Sequence, residues 1–223
     1  MHTLLTIRQQ LQNDENNIPI NIMIRPRAGD FRYCAAEFEQ MRHDIALFSH
    51  LASGFVFGIL DANGRVDVAR NAELVDIAEP LPCTFHRAVD ETPDLEEAVE
   101  MVVGCGFKSV LTSGGGKTAE EGVERIKQLQ EKFGGRVSLV VGGGVRSGNV
   151  EGLKRRTGVE WVHSAAVTGE GEEVDGEEVR RIQGVLEEMV KKEDGAKQKE
   201  GSRQNEGLRP SQENGDQEMD DTG

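Results

Sequence analysis

Residues 109–146 read SVLTSGGGKTAEEGVERIKQLQEKFGGRVSLVVGGGVR. Two short apolar runs, Ser109–Ser113 and Ser138–Val141, each lead directly into three glycines, Gly114–Gly116 and Gly142–Gly144. Between them Val123, Ile126, Leu129 and Phe133 recur in steps of three and four, the spacing that gives a helix one apolar face, and this predicts a helix over Thr118–Phe133. A strand, a glycine turn, a helix and a second strand make a βα unit, and two strands joined through a helix lie parallel.

The same alternation extends outward in both directions. Further β-branched or apolar runs stand at Ile20–Arg25, Gly54–Leu60, Leu81–Ala88 and Trp161–Ala165. Helical periods fill the intervals Ala35–Leu51, Val66–Ala78, Asp94–Val103, Ser147–Arg156 and Asp175–Val190. Thr92-Pro93-Asp94 and Ser147-Gly148-Asn149 supply cap-type residues before helices, and Gly104, Gly134 and Gly158 stand where helices should stop. The strands recur about every 28 residues, the pitch of a (β/α)8 barrel of about 250 residues. Only one short helical segment, Leu4–Leu11, precedes the first strand. The pattern therefore reads either as an open six-stranded sheet or as a barrel sequence without its beginning. From Lys191 to Gly223 the only large aliphatics are Leu208 and Met219, so the expected organisation is a domain over 1–190 and a disordered charged tail over 191–223.

Composition narrows the functions. The 223 residues carry a net charge of −14, which repels nucleic-acid phosphates and anionic membranes and leaves a small molecule as the expected partner. One Trp, one Tyr and eight Phe are too few for base-stacking platforms. No apolar run approaches the roughly 20 residues of a membrane-spanning helix, and Arg8 interrupts the N-terminal apolar stretch too early for a signal peptide. The three cysteines contain no CxxC pair, so neither a disulfide framework nor a Cys-rich zinc module is expected, and a reducing cytoplasmic location fits.

In parallel α/β folds chemistry gathers where strands end. The alternation of Ile20, Ile22 and Ile24 turns Arg25 inward at the strand mouth, with Arg27 and Asp30 close behind; guanidiniums there suit a carboxylate or phosphate, unless Arg27 and Asp30 merely pair on the surface. After Leu81–Ala88 the run His86-Arg87-Ala88-Val89-Asp90 sets three ionisable groups at one rim, and His86 is a candidate acid or base. Ser113, Gly114 and Gly115, and then Gly142, Gly143 and Gly144, let backbone amides approach a ligand before a helix N-terminus. The spacing is not that of a Walker A loop. His163 joins the same rim from Trp161–Ala165. Cys34, Cys83 and Cys105 do not converge, so Cu(I) binding without a defined site is expected.

Ile24-Arg25-Pro26-Arg27-Ala28-Gly29-Asp30-Phe31, Val56-Phe57-Gly58-Ile59-Leu60, Thr84-Phe85-His86-Arg87-Ala88-Val89-Asp90, Leu111-Thr112-Ser113-Gly114-Gly115, Gly142-Gly143-Gly144-Val145 and Val162-His163-Ser164 resemble, in order and spacing, the motifs of the CutC family of copper homeostasis proteins. The resemblance covers about residues 3–190. It implies a (β/α)8-type barrel lacking its first strand, first helix and second strand, hence six parallel strands with outer helices, and a cytoplasmic role in copper tolerance or copper binding. Copper as a cofactor rests on this resemblance alone. The family's N-terminal cysteine region has no counterpart here, which leaves the metal ligands unknown, and Ala28 replaces a family glycine. Beside the copper reading stand two alternatives. One is a barrel enzyme (a lyase, isomerase or hydrolase) that holds a phosphate or carboxylate, with Arg25, His86, Arg87 and Asp90 as catalytic residues. The other is an inactive truncated isoform. Two unclosed sheet edges, at Ile20–Arg25 and Trp161–Ala165, also predict self-association.

Overall fold

The computed structural model of the chain describes residues 18–206 apart from residue 172, with side chains to residue 195. Six strands, β1 (Asn21–Met23), β2 (Gly54–Phe57), β3 (Cys83–Phe85), β4 (Ser109–Thr112), β5 (Ser138–Val141) and β6 (Trp161–Val162), form one sheet in sequence order. Every neighbouring pair is parallel. The crossovers are α1 (Ala35–Phe48), α2 (Val68–Ala78), α3 (Leu95–Gly104), α4 (Val123–Phe133) and α5 (Val150–Thr157); a 3₁₀ turn, Arg87–Glu91, precedes α3, and α6 (Gly176–Glu206) follows β6.

Period-two alternation sorts the strand residues. Phe55, Phe57, Phe85, Val110, Leu139 and Val141 turn toward the helices and are at most 1% exposed. There they meet the apolar stripes of the helices, such as Met41 and Ile45 of α1 and Ile126 and Phe133 of α4. Burying each such side chain contributes about 1.5–3 kcal/mol. Local signals fix the helix ends: the carboxylates of Asp67 and Asp94 accept from the first-turn amides of α2 and α3, and Gly158 ends α5 at φ +72°.

The opposite face of the sheet is less well covered. Met23 on β1 is 54% exposed and Trp161 on β6 is 55% exposed, and among the described residues each of these strands pairs with one neighbour only. The sheet curls all the same, because residues at the ends of β1 and β6 line a common cavity.

Two expected boundaries shift. The helix predicted from Thr118 starts at Val123, because the chain at Gly122 folds back onto β4: a Cβ on Gly122 would lie 1.8 Å from the Ser113 carbonyl oxygen. The helix predicted over Asp175–Val190 runs on past Lys191 to Glu206. Low apolar content there coexists with strong helix formers (Lys191, Lys192, Glu193, Ala196, Lys197), and propensity carries the helix past Met189, the last buried residue among its described side chains. Leu4–Leu11 and the last seventeen positions lie outside the described residues.

Candidate functional site: a cationic cavity at the strand ends

Arg25 leaves β1 with its guanidinium 4.5 Å from the centre of the Phe31 ring and donates from Nη2 to the Gly29 carbonyl at 2.8 Å. Gly29, at φ +95°, makes this return possible. No carboxylate pairs with Arg25 among the described residues. Arg27 is different. It donates to Glu37 Oε1 at 2.6 Å, to Asp30 Oδ1 at 2.9 Å and to the Arg32 carbonyl at 2.7 Å, so it braces the loop and does not line the cavity.

His86 follows β3 and is 3% exposed. Its Nδ1 accepts from the Ala88 amide at 3.3 Å and so caps the 3₁₀ turn. Burial, and secondarily the Arg25 charge, pushes its pKa down to about 4. The ring is therefore neutral at pH 7, and with Nδ1 accepting, the proton resides on Nε2. Nε2 has no partner among the described residues, and leaving such a donor unpaired costs about 1–3 kcal/mol. Phe31 and Phe85 flank the ring, at 4.7 and 6.0 Å between centroids.

Asp90, one 3₁₀ turn further on, has a side chain 7% exposed. Its Oδ1 accepts from the Thr112 hydroxyl at 2.6 Å and the Gly115 amide at 3.0 Å; its Oδ2 accepts from the Ser113 amide at 3.0 Å and from Arg87 Nε at 2.8 Å. The Gly114 amide donates to Thr112 Oγ1. The Ser113, Gly114 and Gly115 amides of the loop after β4 are thus consumed within the protein, and Asp90 holds that loop in place. Arg87, anchored through Nε and through Nη2 to Ser113 Oγ at 2.7 Å, leaves Nη1 beside Gly143.

The loop after β5 keeps its amides. Gly142 donates to the Thr112 carbonyl, but the Gly143 and Gly144 amides have no partner among the described residues. Gly143, at φ +100°, sits so close to Ser113 and Arg87 that a Cβ would lie 3.1 and 3.2 Å from them. Arg146 reaches back over the β6 end, donating to the Val167 carbonyl at 2.6 Å and the Val145 carbonyl at 2.7 Å, and pairs with no carboxylate among the described residues. The neighbouring Ser147 donates its amide and hydroxyl to Glu178 at 2.6 and 2.9 Å, tying the loop to α6. The Ser147 amide holds the buried Glu178 carboxyl below its ordinary range. Desolvation lowers the pKa of His163 at the end of β6.

These residues enclose a cavity of about 310 Å³ lined by Arg25, His86, Arg87, Gly143, Gly144, Arg146 and His163, together with Met23, Phe31, Leu111 and the Ser164–Ala165 turn. Two clefts of about 720 and 650 Å³ are larger. The first lies between α3 and α4, where Lys132 is paired with Glu96; the second lies between β6 and α6. Neither presents an unpartnered buried polar atom, so the strand-end cavity is the better candidate.

Of the residues singled out in the sequence, Arg25, His86, Arg87, Gly143, Gly144 and His163 come together. Asp90, Ser113, Gly114, Gly115 and Gly142 stand behind the wall, and Arg27 lies outside it. Sequence reasoning missed Arg146 and Phe31. Arg146 was signalled by standing two residues after the second glycine run; Phe31 needed the return of the chain at Gly29, which alternation does not encode.

The thiols do not suit a copper site. Cys34 is exposed at the start of α1, whereas Cys83 and Cys105 are buried. Burial pushes Cys83 up to about 12 and Cys105 up to about 11, which disfavours the thiolate that copper requires. Among the described residues no three of His, Cys, Asp or Glu group so as to hold a metal ion.

The fold and the site define a parallel α/β protein of the barrel type with a cationic cavity at its strand ends. The chain belongs to the CutC family, whose model matches residues 5–168. It is 42% identical over 151 residues to a CutC protein of Chromobacterium violaceum and 45% identical over 149 residues to one of Caulobacter vibrioides; these matches cover 67% and 66% of this chain. In each case the chain covers 61% of the relative's length. The crystal structure of CutC from Streptococcus agalactiae, a protein named for copper homeostasis, superposes with a TM-score of 0.68 at 32% identity, covering 73% of this chain and 79% of that one. Among the described residues no helix is long and apolar enough to cross a membrane.

Proposed function

We propose that the protein serves copper homeostasis in the cytoplasm and that it does so by holding a small anionic ligand in the strand-end cavity. Family membership supports the first part. One observation carries the second: in a chain of net charge −14, this cavity is lined, among the described residues, by three arginines and no carboxylate. Arg25 and Arg146 are unneutralised among the described residues, and the free amides of Gly143 and Gly144 add partial positive charge.

Met23 and His163 offer donors to the same cavity, whereas the His86 lone pair is taken by the Ala88 amide, and a copper cation there would meet the guanidiniums. Each one at about 6 Å costs it about 3 kcal/mol at an effective dielectric of about 20, and each favours an anion by as much. The loop after β5 is the element suited to an anion's oxygens. The copper link then runs through that ligand and not through a metal site on the described residues. The test is copper tolerance in cells lacking their own CutC. The wild-type chain should restore tolerance and the Arg25→Ala, Arg146→Ala double variant should not; equal restoration by both would exclude the cavity from the function. We also propose that the chain self-associates through the β1 and β6 edges, a reading supported by the exposure of Met23 and Trp161.

A further inference from the structure

We propose that the ligand of this cavity is a short carboxylate that also bears a neutral carbonyl oxygen: the carbonyl accepts a hydrogen bond from His86 Nε2–H, while the carboxylate lies among Arg25, Arg146 and the Gly143 and Gly144 amides. The inference rests on the anion reading above and adds the chemical class. Its independent observation is His86, which lines the cavity at 3% exposure with Nε2 lacking any partner among the described residues.

The bond from Ala88 N–H to Nδ1 fixes the tautomer, so the ring that lines the cavity carries a neutral, unpartnered donor at Nε2 and no free proton acceptor among the described residues. This replaces the acid–base role that the sequence suggests for His86. The donor is flanked by the Phe31 and Phe85 rings. A ligand hydroxyl placed against it would leave its own proton facing aromatic surface, whereas a carbonyl oxygen only accepts. A full negative charge gains more at the guanidiniums, which have no carboxylate partner, than against a neutral imidazole. At about 310 Å³ the cavity is at the small end for ligand sites, which suits a compact oxo acid.

Pyruvate, lactate, propionate and inorganic phosphate serve as probes, with binding measured by calorimetry on the full chain. Pyruvate should bind about tenfold more tightly than propionate or lactate, the ratio one well-formed hydrogen bond supports. His86→Phe should bring the three organic acids within about twofold, and His86→Gln, which keeps an amide donor, should retain part of the preference. Nitrogen-15 NMR of the imidazole should show a protonated Nε2 and a bare Nδ1, with the Nε2–H resonance shifting on addition of pyruvate but not of propionate. If phosphate and propionate bind in an Arg25-dependent way and pyruvate is no tighter, the carbonyl assignment falls and the anion reading stands. If no probe binds, both fall. A pyruvate preference that survives His86→Phe, or a ring protonated on Nδ1, overturns the role given to His86.

Discussion

The two glycine loops look alike as sequence and do different work. Ser113-Gly114-Gly115-Gly116 follows β4 and Gly142-Gly143-Gly144 follows β5; each leads from a strand toward a helix. In the first, a buried carboxylate, Asp90, takes the amides of Ser113 and Gly115. In the second no side chain among the described residues does so, and the amides of Gly143 and Gly144 remain at the cavity wall. A glycine run gives a backbone the freedom to approach something. Whether that is a ligand or the protein's own side chain depends on a residue far off in sequence, here one in the 3₁₀ turn that follows β3.

Removing Asp90 should break the contrast most severely. Asp90→Ala strips the acceptor from several buried donors and leaves Arg87 without its carboxylate, so a loss of about 3–5 kcal/mol is expected. Urea unfolding measures it, and a loss below about 1 kcal/mol would mean that the loop does not depend on this hub.

Acid tests His86. Its pKa is about 4 in the folded chain against 6.5 when unfolded, so at pH below 6.5 the unfolded state takes up the proton first. Stability held above pH 6.5 should fall by about 3 kcal/mol as the pH drops to about 4. In His86→Phe that limb should vanish, while losses from carboxylates held low by their partners, such as Glu178 and Asp175, persist at lower pH. An unchanged limb in the variant would assign it to other groups.

The glycines themselves give a smaller and sharper comparison. Gly143→Ala meets both φ +100° and the contacts at 3.1 and 3.2 Å, and should cost about 2–3 kcal/mol and abolish anion binding. Gly115→Ala is strained only by φ +74°, with nothing nearer than 3.7 Å, and should cost about 1–2 kcal/mol and leave anion binding intact. Equal effects on binding would erase the distinction between the loops. The least effect on the site is expected at the sheet edges: Trp161→Lys should shift any self-association toward monomer in light-scattering chromatography, and a wild-type chain already monomeric would remove the edge-pairing proposal.

What could be read beforehand follows the range of each interaction. Strand and helix positions came from alternation over a few residues, and the strand-mouth rule then picked out Arg25, His86 and His163 from one-dimensional parity and Arg87 from its place beside His86. The fate of each loop amide could not be read, because it turns on a contact across 25 residues from Asp90 to Gly115. Alternation turned Arg25 inward and left open whether Arg27 joined it or paired with Asp30; the Asp30 pair forms, and Glu37, on α1, adds a second claim on Arg27 that the sequence did not signal. The helix beyond Lys191 was hidden because composition measures the lack of a core, whereas helix propensity needs none to extend a helix already begun.

The central claim is that this cavity binds an anion through arginines freed from carboxylates. Calorimetric titration of the full chain with inorganic phosphate, repeated for Arg25→Ala and Arg146→Ala, tests it most directly. One charge-assisted contact is worth about 1.5–3 kcal/mol, so each variant should bind phosphate at least about tenfold more weakly, while Arg27→Ala changes it little. Phosphate affinity indifferent to Arg25 and Arg146, or tight one-to-one Cu(I) binding lost on replacing His86 and Met23, would contradict it.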